Sequence, residues 1–383
     1  MSQSRLATCH SQADLRECAR RALPRMVFDY LDGGSGEERT LRENRTALER
    51  VRLVGSAPVN VEERRLDTNL FEMPQGLPLI VGPVGLTSAF YPQGEIVLAK
   101  AAARFGIPYV LSTGASVSLE DLRSSCAGTK WCQLYVPPDE SLLFRWMDRA
   151  LECGYSALQI TVDTAAPSRR IRDIRNGFSM PFAWTPRKFL NVASHPQWAL
   201  RMLRHGTPRL LLWEEAARDN SASTIAERNR SVISAAVDWE MLKTIRRRWP
   251  KTLIVKGIND PRQAAKAVEC GMDGIVVSNH GGRQLDGAAA TIDLLPEVVS
   301  AVQGRIPVLI DSGFRNGEDV LKALALGASA VQLGRSVIYG LAAGGLAGAC
   351  KALQMLRDEL DTAMALCGVT RISDIRPDII RRP

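Results

Sequence analysis

The decapeptide SNHGGRQLDG, Ser278 to Gly287, carries an imidazole between an asparagine and two glycines, with a guanidinium three residues on. It follows GIVV, an apolar β-branched run, so the histidine stands where a buried strand ends. A histidine there can serve as a general base, because its ordinary pKa lies near working pH. The bland alternative is a histidine that caps a turn. Of the four histidines, His10 lies in the leading segment, His195 and His205 lie in one long connection, and only His280 ends a strand-like run. A base needs an orienting partner, and Asp163, at the end of ALQITVD, offers a carboxylate that would stabilise the imidazolium. Arg283 follows His280, and Arg170 follows Asp163 in TVDTAAPSRRIRD. Two guanidinium forks beside a base suit an anionic substrate held by its carboxylate. Tyr30 and Tyr135 add hydroxyls, and Lys256 in LIVKG is a fixed cation suited to negative charge building on a cofactor ring. With so few histidines and no Cys/His cluster, no metal site is expected.

These groups must be positioned by something regular. From residue 78 onward, short apolar runs (PLIVGP, PYVLSTG, WCQLYV, ALQITVD, LIVKG, GIVVSNHGG, PVLIDSG, AVQLGR) alternate with amphipathic helical stretches such as GEIVLAKAAARFG and GEDVLKALALGA. Strands apolar throughout and separated by helices predict a parallel α/β sheet, and about eight such units predict a closed (β/α)8 TIM barrel. An open doubly wound sheet is the alternative, weakened because no G-x-G-x-x-G follows the first strand. The division expected is a single domain over 1–383. It comprises N-terminal helices over 1–77, a barrel over 78–350, an insertion after strand four over 164–252 and a C-terminal helical tail over 351–383. Within the first part, SQADLRECARRAL reads as a helix N-capped by Ser11, with Asp14 closing a capping box.

Barrel chemistry sits at the C-terminal ends of strands. Those ends read Pro83-Val84-Gly85, Ser112-Thr113, Gln133 and Tyr135, Thr161 and Asp163, Lys256, Ser278-Asn279-His280, Asp311-Ser312-Gly313 and Gly334-Arg335. Nearly every strand stops on a polar or ionisable group. The last two, in DSGFRNGEDV and LGRSV, pair a glycine turn with Arg315 or Arg335 at a helix start, which suits a phosphate.

The bulk numbers set limits. The chain has 383 residues, a net charge of +8 and eight cysteines without a C-x-x-C pair, which points to free thiols in a reducing cytosol. The leading residues lack the apolar core of a signal peptide, and the softest apolar stretch, VIYGLAAGGLAGAC, is shorter than a membrane span. Between Met180 and Trp213 there is no Asp or Glu. Arg187, Lys188, Arg201, Arg204 and Arg209 interleave there with Phe182, Trp184, Phe189, Trp198, Leu200 and Leu203. That mixture suits a segment lying on an anionic membrane surface, with packing over the barrel or between subunits as the alternative. No nucleic-acid-binding fold is recognisable.

Taken together, the residues resemble the FMN-dependent L-2-hydroxy acid dehydrogenase/oxidase family. The resemblance runs from LPRMVFDYLDGGSGEERTLREN to RDELDTAMALCG, with SNHGGRQLD as its most specific motif and QLYV, TVD, VKG, DSGFRNG and LGR in the family's order. It implies FMN as cofactor and oxidation of an L-2-hydroxy acid to the 2-keto acid. His280 is then the base, paired with Asp163, and takes a proton either from the substrate carbon or from its hydroxyl. Arg170, Arg283 and Tyr30 correspond to the carboxylate-binding groups, and Tyr135 to the tyrosine near the substrate hydroxyl. Lys256 corresponds to the lysine that stabilises reduced flavin. Ser112, Gln133, Thr161, Ser278, Asp311, Gly313, Arg315, Gly334 and Arg335 match flavin or phosphate contacts, and Pro83-Val84-Gly85 would face the flavin edge. The glycines after His280 would let substrate and flavin approach.

Subtype follows from the departures. Gly85 resembles the dehydrogenases, whereas the oxygen-using oxidases commonly carry alanine. Gly114 replaces a bulky tryptophan of glycolate oxidase and implies a roomier substrate pocket. Pro167 resembles the lactate dehydrogenases, and the insertion most resembles that of mandelate dehydrogenase. The expectation is an (S)-mandelate-like substrate, with lactate as the alternative. A quinone is the expected electron acceptor, residues 180–212 would rest on the inner face of the cytoplasmic membrane, and the assembly would be a homo-oligomer, a tetramer by analogy. A flavin-dependent isomerase and a flavin- or phosphate-binding barrel without activity are the rival readings.

Overall fold

The computed structural model describes residues 6–178, 185–218 and 233–381. Eight parallel strands close into a barrel: β1 (Leu79–Val81), β2 (Tyr109–Leu111), β3 (Lys130–Leu134), β4 (Ala157–Thr161), β5 (Thr252–Ile258), β6 (Gly274–Val277), β7 (Val308–Ile310) and β8 (Ala330–Leu333). They follow the eight apolar runs of the sequence, and β8 pairs with β1 to complete the circle. The open-sheet alternative is thereby excluded.

Side chains alternate across a strand with a period of two, and the inward set falls into layers. The lower layer is apolar: Ile80, Val110, Trp131, Ala157, Ile254, Val276, Leu309 and Ala330, all buried. Small residues on β4 and β8 leave room for the Trp131 indole, which meets Phe71 edge-on with ring centres 5.7 Å apart. Two residues further along each strand, the positions become Gly82, Ser112, Gln133, Gln159, Lys256, Ser278, Asp311 and Gln332. One apolar storey thus supports one polar storey at the C-terminal mouth.

Three boundaries differ from expectation. Residues 1–77 are not only helices: after helices Gln12–Ala22, Arg25–Asp32 and Arg39–Arg50, a hairpin of Thr68–Leu70 and Met73–Gln75 places Leu70 and Phe71 against the lower layer. The insertion ends before residue 252, because Trp239–Arg248 is a helix packed on the barrel and Thr252 already belongs to β5. At the C-terminus no break separates barrel and tail. One 32-residue helical run, Arg335–Leu366, crosses residue 350, kinked where Gly344 and Gly345 leave helical angles. Its apolar window is long enough to span a membrane, yet 72% of it is buried inside the protein. It is a core helix, longer than VIYGLAAGGLAGAC suggested because the pattern continues beyond the glycines. The Ser11 cap forms as read: its Oγ accepts from the Asp14 N–H, and Asp14 accepts from the Ser11 N–H.

The insertion carries helices Ile171–Asn176, Pro186–Ala193, Pro196–His205 and Leu211–Arg218. Met180, Phe182 and Trp184 lie outside the described residues. Helix Pro196–His205 turns Trp198 and Met202 inward, and the Trp198 indole N–H donates to the Ala89 carbonyl at 2.8 Å. Its other face, with the preceding helix, leaves Phe189 64%, Leu190 69% and Leu203 82% exposed.

Candidate active site

The polar storey opens into a cavity of about 1330 Å³, lined among others by Tyr30, Pro83, Val84, Gly85, Ser112, Gly114, Tyr135, Arg170, Lys256, His280, Arg283, Asp311, Gly313, Arg315, Gly334 and Arg335. Single small-molecule sites usually occupy ~300–1,000 Å³, so there is room for a cofactor and a substrate together. Of the residues expected from the sequence, Gln133, Thr161, Ser278 and Asp163 stand behind the wall and not on it.

His280 sits at the end of β6 with φ of 58°. Its backbone N–H donates to Ser278 Oγ at 3.1 Å, and its Nδ1 lies 3.0 Å from Asp163 Oδ1. Burial pushes Asp163 up, but the charges of His280 and Lys256 outweigh it and hold the carboxyl below its usual range. An ionised carboxylate only accepts, so Nδ1 carries the proton and Nε2 keeps a free lone pair. Burial lowers the His280 pKa despite the opposing pull of Asp163, so the ring is neutral at neutral pH. That is the protonation state of a base. Gly257, at φ 105°, makes the pairing possible: a Cβ there would lie 2.7 Å from that of Asp163. The sequence reading passed over Gly257, whose signal was a glycine inside a strand run.

The cations show a second pattern. Arg170, Arg283, Arg315 and Arg335 all reach the cavity, and none has a carboxylate within 4.0 Å among the described residues. Arg283 donates to the carbonyls of Tyr30 and Gly33, each at 2.8 Å, and its guanidinium lies 4.9 Å from the centre of the Tyr30 ring. Burial and the nearby Arg170 charge pull it down to about 9, which leaves it protonated at neutral pH. Arg170 lies over the same ring at 6.0 Å, and its Nε is buried without a partner. Tyr30 is fixed by stacking on Phe178 at 4.6 Å and Phe90 at 6.2 Å. Asp173 acts on both arginines from further off, with burial raising its pKa, and two clustered guanidiniums with no carboxylate within 4.0 Å among the described residues call for an anion from outside. Tyr135 faces the same space, and burial raises its hydroxyl pKa, so it stays protonated and able to donate.

Lys256 Nζ donates to Ser278 Oγ at 2.8 Å and stands 3.3 Å from Asp311, which with Asp163 raises its pKa against the effect of burial. Gln133 Oε1 accepts from Ser112 Oγ and the Thr113 N–H, whereas its Nε2 is buried with no partner. Gly334 begins the long C-terminal helix with no side-chain cap, and a Cβ there would approach only Val84 Cγ2, at 4.0 Å. An uncapped helix start beside Arg315 and Arg335 is a ready phosphate site. Arg335 spends three of its donors on the carbonyls of Leu31, Gly281 and Gly33. Its task is thus partly to tie three chain segments together.

The glycines of the motif do more than was expected of them: Gly281 lines the cavity, and both glycines also make room for neighbouring chain. A Cβ on Gly282 would lie 2.6 Å from the Leu41 backbone nitrogen, and one on Gly281 would lie 2.8 Å from the Arg335 guanidinium. Gly282 lets the N-terminal helix Arg39–Arg50 close over the rim, and Gly281 lets Arg335 pass beside the motif. The N-terminal segment contributes more than Tyr30: Asn44 and Asn279 exchange side-chain hydrogen bonds at 2.9 and 2.7 Å. Arg172 in the insertion bridges Asp32 and Glu38. Asn44, Asp32 and Arg172 carry no local motif and are apparent only once the chain is folded. Gly85 and Gly114 face each other, with a Gly85 Cβ falling 3.3 Å from the Gly114 carbonyl oxygen.

These residues fit FMN. A fixed cation and an open glycine-arginine helix start line one cavity, with an unpartnered amide donor directly behind its wall, matching a polar ring system at one end and a phosphate at the other.

Comparison with known proteins agrees. Residues 19–382 match the model of the FMN-dependent dehydrogenase family. The chain is 39% identical over 368 residues to (S)-mandelate dehydrogenase of Pseudomonas putida, covering 96% of this chain and 93% of that protein. It is also 39% identical over 374 residues to L-lactate dehydrogenase of Yersinia pestis, covering 96% and 97%. Among solved structures it resembles the monotopic membrane protein (S)-mandelate dehydrogenase, with a TM-score of 0.93 at 37% identity over 98% and 100% of the two chains. A mandelate oxidase bound to (S)-2-phenylpropionate gives 0.81 at 37% identity, covering 98% of each. With its closed barrel, its neutral histidine held by an aspartate and its FMN-fitting rim, the chain belongs to the FMN-dependent dehydrogenases.

Proposed function

We propose that the protein oxidises an L-2-hydroxy acid to the 2-keto acid, with an aromatic acid such as (S)-mandelate as substrate. The observation that carries this is the pairing, at one cavity, of His280 on Asp163 with two guanidiniums that have no carboxylate within 4.0 Å among the described residues. The substrate carboxylate takes the forks of Arg170 and Arg283 and the Tyr30 hydroxyl. Tyr135 donates toward the substrate hydroxyl. His280 Nε2 accepts the proton that leaves during oxidation, and the imidazolium so formed is stabilised by Asp163. FMN, held by Gln133, Lys256, Ser112 and the Gly313–Arg315 and Gly334–Arg335 turns, supplies the two-electron acceptor when bound. Lys256 would hold a positive charge beside the bound cofactor and favour its two-electron chemistry. An aromatic substrate is favoured over lactate because Gly114 lines the cavity and puts no side chain into it.

We propose further that the surface of the insertion lies on an anionic membrane and that a quinone receives the electrons there. Support comes from the exposed Phe189, Leu190, Leu200 and Leu203, interleaved with Arg187, Arg201 and Arg204. The test of the catalytic reading is anaerobic mixing of the yellow protein with (S)-mandelate, L-lactate and glycolate while following the flavin band. Bleaching is expected, fastest with mandelate. Faster bleaching by lactate would reassign the substrate, and none by any hydroxy acid would leave a cofactor-binding barrel without this activity.

A further inference from the structure

Away from the charged groups, the cavity has an apolar wall: Gly114, Pro138, Leu210, Trp213, Ile233 and Ala236. Ser234 also lines it, with its Oγ accepting from the Ala236 N–H, and Trp213 brings a second polar side chain. The Trp213 indole Nε1 is buried and has no hydrogen-bond partner. Trp131 and Trp146 also lack indole partners, but both are fully buried in the core, whereas Trp213 lines the cavity. The insertion's other described indole, Trp198, has found a barrel carbonyl. The helix bearing Trp213 is anchored to the barrel twice. The Leu211 N–H donates to the Ala115 carbonyl at 3.3 Å, next to Gly114, and Glu215 pairs with Arg149 at 2.9 Å. Trp213 is therefore fixed near the space that Gly114 opens. A buried donor without an acceptor is costly, and a ligand atom that supplies the acceptor removes that cost.

We infer that Trp213 is a specificity-determining residue whose N–H receives a hydrogen-bond acceptor at the far end of the substrate's side chain. The preferred substrate class is then an aryl 2-hydroxy acid with an ether, carbonyl or hydroxyl oxygen on the ring. This rests on the hydroxy-acid reading of the site and sharpens it. The probes are (S)-mandelates carrying 4-methoxy or 4-ethyl, nearly equal in shape, with an acceptor only in the first. Flavin reduction by unsubstituted (S)-mandelate in the holoenzyme first tests the underlying reading by itself. The wild-type holoenzyme is then expected to favour methoxy over ethyl in kcat/KM by about 3–10-fold, the usual worth of one buried neutral hydrogen bond. In Trp213→Phe that preference should vanish, and the ratio of the two ratios cancels electronic effects of the ring. A wild-type preference for ethyl overturns the inference without any variant, even if Trp213→Phe fails to fold. So does an unchanged methoxy-to-ethyl ratio in Trp213→Phe.

Discussion

The barrel rim and the insertion are both rich in arginine, and they use it in opposite ways. At the rim, Arg283 and Arg335 are sunk among carbonyls and rings with no carboxylate beside them, and burial lowers both pKa values. In the insertion, Arg187 and Arg204 stand in water beside exposed Phe189, Leu200 and Leu203, while Arg201 lies over the Tyr91 ring and Arg209 pairs with Glu214. A buried unpaired cation is costly and selects one small anion in one orientation. An exposed basic patch is screened and selects a charged surface of no particular shape. The same residue type does either job, and its surroundings decide which.

The largest effect that would test this contrast is at the rim. His280→Asn should retain FMN, because its ring is not among the groups proposed to hold the cofactor, yet lose turnover by roughly 10²–10⁴-fold. Rapid anaerobic flavin reduction at a near-normal rate would remove His280 from the chemistry. Next in size are Arg283→Met and Arg170→Met. Each removes charged hydrogen bonds worth roughly 1.5–3 kcal/mol, so affinity for substrate and keto acid should fall about 10–150-fold. Flavin titration measures this, and wild-type affinity in either variant would take that residue out of the clamp.

The pH dependence is smaller and has a definite sign. Burial lowers the His280 pKa, so its basic form persists below the ordinary histidine value near 6.5. The acid limb of kcat/KM should lie below that value, with activity lost as pH falls through it. Asp163 pulls the His280 pKa upward, so Asp163→Asn should shift the limb further down while slowing turnover. A limb that moves up would contradict the pairing.

The smallest effects belong to the insertion. The protein should sediment with anionic liposomes at low salt and be partly released at high salt, at about 1 kcal/mol per basic residue near the surface. Replacing Phe189, Leu190, Leu200 and Leu203 with serine should remove the salt-resistant part and leave flavin reduction unchanged. Protein that stays in the supernatant at low salt would point to subunit packing. Excising residues 180–212 is a poorer test, because Leu210 lines the cavity.

Much of this was legible in the residues. Periodicity marked all eight strands, since each is a short apolar run closed by glycine or a polar residue. His280, Asp163, Lys256 and the rim arginines were legible because barrel strands deliver their chemistry at one end, so a linear list of strand ends becomes a ring. The N-terminal hairpin was not legible, because TNLFEMPQ has neither alternation nor length to announce a strand. Nor was the part played by Asn44, Arg172 and Trp213, whose partners or cavity walls lie far away in the chain.

The sequence by itself thus determined the barrel, the polar storey and the position of the candidate base, because these depend on local pattern and a period of two. Only the tertiary structure decided that Gly282 makes room for Leu41 of the N-terminal helices, that burial lowers the His280 pKa and that the rim arginines have no carboxylate within 4.0 Å among the described residues. Those are properties of burial and of neighbours distant in sequence, and a charge's meaning depends on the dielectric and the partners that folding places round it.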